Sequence, residues 1–139
     1  MSNKKSIQVS ASIDAPLERV WEYWTSPSHI VNWNSPSDDW HTPKAENELE
    51  KGGRFVYRME AKDGSVGFDF GGTYEEISEQ EKLVYVLDDD RRATVTFKEK
   101  EGGVLVSESF EPEDQNSEEM QQQGWQAILD NFMKYVESN

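Results

Sequence analysis

Ser117-Glu118-Glu119-Met120-Gln121-Gln122-Gln123-Gly124-Trp125-Gln126-Ala127-Ile128-Leu129-Asp130-Asn131-Phe132-Met133-Lys134-Tyr135-Val136 nearly ends the sequence and decides how the rest must be arranged. Ser117 offers an N-cap oxygen, and Glu118 and Glu119 put negative charge in the first turn, where it favours the helix dipole. Wound at about 100° per residue, Tyr135, Ile128, Phe132, Trp125, Val136, Leu129 and Met133 fall within an arc of about 160°, with Lys134, Ala127 and Asp130 opposite. A helix over 117–136 must therefore lie with one broad apolar face against something equally apolar.

The preceding residues supply that surface as strands. Ile7-Gln8-Val9-Ser10-Ala11-Ser12-Ile13 alternates strictly, which turns Ile7, Val9, Ala11 and Ile13 to one face. Phe55, Tyr57 and Met59 alternate in the same way. A turn at Lys62-Asp63-Gly64-Ser65 then leads to Phe68, Phe70, Gly72 and Tyr74. Further strands are read at 82–87, 93–99 and 104–110, with Ala93, Val95 and Phe97 inward, and Glu108 on the face of Val104, Val106 and Phe110. The connections are too short for helical crossovers, so the sheet is an antiparallel meander. Between the first strand and this meander, Asp14 is read as the cap of a helix over 15–24 with Pro16 in its first turn and the stripe Leu17, Val20, Trp21, Trp24. Ser26-Pro27 repeats the signal before a shorter helix through His29, Ile30 and Trp33. Residues 34–50, with Pro36 and Pro43, read as an irregular strand or a loop around Trp40. The glycine pairs Gly52-Gly53, Gly71-Gly72 and Gly102-Gly103 read as bulges or turns.

The sum is an α+β domain spanning residues 1–139. A curved antiparallel sheet of six to seven strands wraps around the long C-terminal helix, and two short helices follow the first strand. A strongly twisted sheet curling about one helix leaves a space lined by large apolar side chains.

Bulk properties narrow the partners. The 139 residues suit one domain, and five Trp, five Tyr and six Phe concentrate a modest apolar content into large side chains. Fourteen basic against 28 acidic residues give a net charge of -14, which repels nucleic acid and anionic membrane surfaces. The opening residues 1–12 carry Lys4 and Lys5 but no apolar signal core, and no stretch approaches a membrane span, so the reading is cytoplasmic. The chain has no cysteine, which removes disulfides, thiolate ligands and cysteine nucleophiles. His29 and His41, the only histidines, lack the spacing of a metal pair, and no phosphate, dinucleotide or nucleophile-elbow motif appears, so neither metal nor cofactor is expected.

Several stretches together resemble a known family. They are Ile13-Asp14-Ala15-Pro16 with Val20-Trp21, Gly52-Gly53-Arg54-Phe55, Gly72-Thr73-Tyr74-Glu75-Glu76-Ile77, Glu81-Lys82-Leu83-Val84, Glu108-Ser109-Phe110-Glu111-Pro112-Glu113 and, most strongly, 123–132. The chain resembles the START-like, or SRPBCC, superfamily of helix-grip proteins, which includes the birch-pollen allergen. Within it the chain is most similar to the C-terminal domain of the activator of heat-shock-protein-90 ATPase. The resemblance implies the helix-grip fold and a ligand cavity. It implies no single activity, because the superfamily holds lipid carriers, metabolite binders, cyclases and chaperone regulators. The eukaryotic activator has an additional N-terminal domain that carries much of its partner binding. This sequence opens directly at the first helix-grip strand, which places small-ligand binding ahead of chaperone regulation.

The expected function is non-catalytic binding of a small apolar ligand, a lipid or a polycyclic aromatic metabolite, between sheet and closing helix. The candidate lining is Trp33, Phe55, Tyr57, Met59, Phe68, Phe70, Tyr74, Val95, Trp125, Leu129 and Phe132, each equally readable as ordinary core. Glu108 and Gln121 are polar residues on apolar faces, where an unpaired group costs about 1–3 kcal/mol. Either would fix a ligand's polar end; the plain alternatives are a strand-edge Glu reaching water and a Gln at the pocket mouth. His29 is placed beside Trp33 at the pocket entrance or on the surface. Two other functions stay open: a protein-interaction domain of chaperone-regulator type, and a cyclase or hydrolase using a pocket acid such as Glu108 with a tyrosine. A polar pair in the pocket would favour catalysis, a dry aromatic pocket binding, and an exposed apolar patch a protein partner.

Overall fold

The period-two alternation of residues 7–13 makes β1, Ile7–Ile13, a strand whose apolar side chains are buried and whose Gln8, Ser10 and Ser12 face water. The computed structural model describes residues 6–139; Lys4 and Lys5 lie outside the described residues. After β1 come α1 (Leu17–Thr25), α2 (Pro27–Trp33), β2 (Trp40–Asn47), β3 (Arg54–Ala61), β4 (Gly67–Ser78), β5 (Lys82–Leu87), β6 (Arg92–Lys100), β7 (Gly103–Phe110) and α3 (Glu118–Ser138).

One seven-stranded antiparallel sheet has the order β1-β7-β6-β5-β4-β3-β2. The last six strands form a meander, and β1 returns to pair with β7 from Ile7 opposite Phe110 to Ile13 opposite Val104. The sheet curls into a half-barrel, and α3 lies in its concavity. Leu129, Phe132 and Val136 of that helix share one fully buried cluster with Val9, Phe55, Val95, Phe97 and Val106 of the strands. Ser117 caps α3 by accepting the Met120 N–H at 3.1 Å. The free edge of β1 is covered as well: Gln126 donates its side-chain amide to the Ser10 carbonyl at 3.0 Å and Gln122 to that of Gln8 at 3.3 Å. Both fill acceptors that another strand would otherwise find exposed.

Two local expectations are corrected, for Asp14 and for Gly71-Gly72, and of the two readings of residues 34–50 the structure has the irregular strand. Asp14 does not cap α1. Pro16 occupies the N-cap position with ψ 150, so the helix starts at Leu17, and no side chain caps it. The Asp14 backbone N–H instead donates to Glu137 at 2.9 Å, tying the helix entry to the end of α3. Residues 34–50 contain a true strand, β2, whose pairing with β3 slips between His41 and Lys44. Pro43 lies in that slip, where a missing N–H costs no ladder bond. Gly71-Gly72 is neither bulge nor turn: the bulge in β4 falls between Tyr74 and Glu76, whereas Gly72 sits opposite Phe55 in regular pairing.

Gly72 is there for room. A Cβ at that position would stand 2.6 Å from the Val86 carbonyl oxygen and 3.1 Å from two carbons of the Phe55 ring. Because the nearer contact is backbone, relief requires the strand itself to move. Gly72→Ala is expected to cost about 1–3 kcal/mol in urea unfolding. An unchanged midpoint would show that the close approach is not constraining.

Candidate functional site

The strand alternation and the two short helices bring large side chains to the end of the sheet nearest the β3–β4 turn, and there the core does not close. A cavity of about 250 Å³ remains, with Trp24 from α1, Trp33 from α2, and Asn34 and Pro36 from the segment after it. Tyr57 and Met59 of β3, Phe68 and Phe70 of β4, Glu108 of β7, and Gly124, Trp125 and Ile128 of α3 complete the wall. The volume is a little below the range of about 300–1,000 Å³ usual for small-molecule sites. Phe68 is 45% exposed, which marks the mouth.

The aromatic walls are held by one another. Trp125 stacks on Phe110 with ring centroids 3.8 Å apart and meets Phe70 edge-on at 6.0 Å. Trp24 stacks on Trp33 at 5.0 Å, and Phe132 meets both rings edge-on from behind. The Trp33 indole N–H is engaged outside the cavity, donating to the Tyr23 carbonyl at 2.9 Å.

Glu108 is the exception in this lining. It stands between Val9 on β1 and Val95 on β6, both buried, and is itself only 5% exposed. Burial pushes its carboxyl up to about 8, so at neutral pH the group is mostly protonated. Among the described residues no hydrogen bond reaches it. Two other polar groups of the wall, the Trp33 indole N–H and the Asn34 amide, are already committed. Asn34 donates to the Thr42 hydroxyl at 3.3 Å, and Tyr74 donates to Asn47 at 2.7 Å. Asn47 in turn donates to the Thr25 carbonyl at 2.7 Å, ending the chain on α1. Burial raises Tyr57 and Tyr85 well above the usual phenol range, and negative charge on Glu108 adds to both.

Of the residues singled out from sequence, Trp33, Tyr57, Met59, Phe68, Phe70, Glu108 and Trp125 are brought together around this space. Phe55, Tyr74, Val95, Leu129 and Phe132 are packed solidly in the core beside it. Gln121 is buried for another reason. Its amide donates to the carbonyls of Asn116 at 2.9 Å and Glu113 at 3.1 Å, and its oxygen accepts the Glu113 N–H at 2.9 Å, which folds the loop between β7 and α3. His29 is not at the entrance; it stacks on Tyr23 at 4.0 Å and shares a hydrogen bond with the Tyr135 hydroxyl at 2.7 Å.

Trp24, Asn34, Pro36, Gly124 and Ile128 complete the wall without having been singled out as lining. Gly124 carried a signal: a glycine inside a helical apolar face costs helix stability and so points to a need for space. It lies one turn before Ile128 on the same face, and a Cβ added to it would meet nothing within 4 Å.

No described helix is long and apolar enough to cross a membrane, and the described residues hold no cluster of three or more metal-ligating side chains.

A seven-stranded half-barrel gripping a long helix over an aromatic cavity defines a helix-grip protein of the SRPBCC superfamily. Residues 14–137 match the family described as Activator of Hsp90 ATPase homolog 1-like protein, and the chain belongs to that family. Its solved neighbours include an AHSA1-like protein from Aeromonas hydrophila, 44% identical with a TM-score of 0.91 over 96% of this chain and 93% of that one. A protein from Cytophaga hutchinsonii is 42% identical, with a TM-score of 0.80 over 99% of this chain and 94% of its own. One from Chromobacterium violaceum is 26% identical, with a TM-score of 0.86 over 96% and 98%. No curated protein matches.

Proposed function

We propose that the protein binds a small apolar ring compound, without transforming it, in the cavity between sheet and α3. The observation that carries this reading is the cavity itself: a space of about 250 Å³ walled by three indoles, Tyr57, Phe68, Phe70, Met59 and Ile128, with one carboxyl at Glu108. Such a wall gains free energy by removing apolar rings from water, and Glu108 supplies orientation. Catalysis of cyclase or hydrolase type would need a second positioned group beside the acid. The candidate, the Tyr57 hydroxyl, shares no hydrogen bond with Glu108. A chaperone-regulating role has only the family's description behind it, and the pocket makes no use of it.

Gly124→Leu tests the proposal by filling the space. A Cβ at this position meets nothing within 4 Å, the side chain extends from the cavity wall, and a helix-interior glycine is replaced, so folding stability should stay level or rise by about 1 kcal/mol. Binding of a fluorescent naphthalene probe, followed by quenching or shift of indole emission, should weaken by about ten-fold or more. Unchanged probe affinity in a fully folded Gly124→Leu protein would place the ligand elsewhere and end the proposal.

A further inference from the structure

We infer that the ligand of this pocket is an arylalkyl amine bound as its cation, with the ammonium on the Glu108 carboxylate and the ring system against Trp24, Trp33 and Trp125. The inference rests on the pocket reading above and names its ligand class.

The charges around the cavity set the sign. Its wall contains one acid, Glu108, and no lysine, arginine or histidine, so an anionic head such as a fatty-acid carboxylate would be buried without a counter-charge. The protein as a whole carries -14, which concentrates cations around it and depletes anions.

The setting of Glu108 then separates a cation from a neutral head. No described residue donates a hydrogen bond to its carboxyl, and valines flank it on both neighbouring strands. A neutral hydroxyl or carbonyl would be served as well by an amide in that place. A carboxyl alone can also become an anion, and a ligand ammonium supplies the hydrogen bonds and positive charge the site lacks. The indole faces add a further attraction specific to cations, strongest for tryptophan in a water-poor site.

Binding of this kind has a signature that does not depend on any variant. The titratable groups facing Glu108 are the Tyr57 and Tyr85 hydroxyls, and burial holds both neutral well above physiological pH. The carboxyl, pushed up to about 8, is mostly protonated at pH 7 and must ionise to pair with an ammonium, so binding of the amine should release a proton from the site.

The test is calorimetry at pH 7, in two buffers of different ionisation heat, with naphthylmethylamine, naphthylmethanol and naphthoate on the wild type and on Glu108→Gln. The amine should bind about ten-fold tighter than the alcohol, with naphthoate weakest, and only the amine should release a proton. Glu108→Gln, shown to be folded by its circular dichroism and a cooperative urea transition, should lose both the amine preference and the proton release. The inference is overturned if the alcohol or naphthoate binds as well as the amine. It is equally overturned if Glu108→Gln retains the preference, which would put the ammonium on surface acids. Binding of none of the three would instead remove the pocket reading on which the inference stands.

Discussion

Glu108→Gln is expected to remove a steep pH dependence of stability from the protein. The folded carboxyl is raised from 4.5 to about 8, chiefly because it is buried between Val9 and Val95. Between those values the folded protein holds a proton that the unfolded chain has released. The stability contributed by the acid form is therefore full below about pH 4.5 and is lost as pH rises through about 8. Glutamine has the same shape and no proton to lose. The difference in unfolding free energy between variant and wild type should grow by at most about 1.4 kcal/mol per pH unit across that window, reaching about 5 kcal/mol above it. Carboxylates such as Glu75 and Asp88, held low by Arg92 and Arg54, act in the opposite sense at acid pH but are common to both proteins and cancel. Urea unfolding at pH 5, 7 and 9 measures the difference. A constant offset across the three would mean that Glu108 is hydrated or paired.

Phe132→Ala should cost about 3–5 kcal/mol, the other large effect. The ring has no solvent exposure, meets Trp24 at 4.9 Å and Trp33 at 4.7 Å, and lies behind the cavity wall instead of in it. The penalty should appear as a lower denaturant midpoint with an unchanged slope, while probe affinity of the folded fraction changes far less than in Gly124→Leu. A loss below about 1 kcal/mol combined with acceptance of bulkier probes would mean that Phe132 borders the ligand space.

Phe132 and Trp125 also show what the sequence tells and what it withholds. Seven residues apart, they share one face of α3, and helical periodicity places both against the sheet. Periodicity says nothing of what stands opposite. Trp125 meets the unfilled end near the β3–β4 turn, and Phe132 meets two indoles from α1 and α2. The strands behave alike. Alternation puts Phe55, Tyr57 and Met59 on one face, yet only distance along the curled sheet separates buried Phe55 from the cavity residues Tyr57 and Met59. Glu108 was legible because a carboxyl on an apolar face breaks the pattern. Gln121 broke it in the same way, but its partners lie in a loop without periodicity that folds back on the helix start. The β1 strand and the α3 cap were readable from local chemistry alone. Pro43 and the register slip broke the alternation of β2 and concealed it.

Pocket binding is the central claim, and the five indole N–H signals test it most directly, since three of the tryptophans line the cavity. Titrating isotope-labelled protein with naphthylmethanol should shift the signals of Trp24, Trp33 and Trp125 together and saturably. Trp21, which packs edge-on against Phe97 outside the cavity, should stay fixed. Shifts at Trp21 without shifts at Trp125, or no shift at any indole up to the solubility limit of the probe, would contradict it.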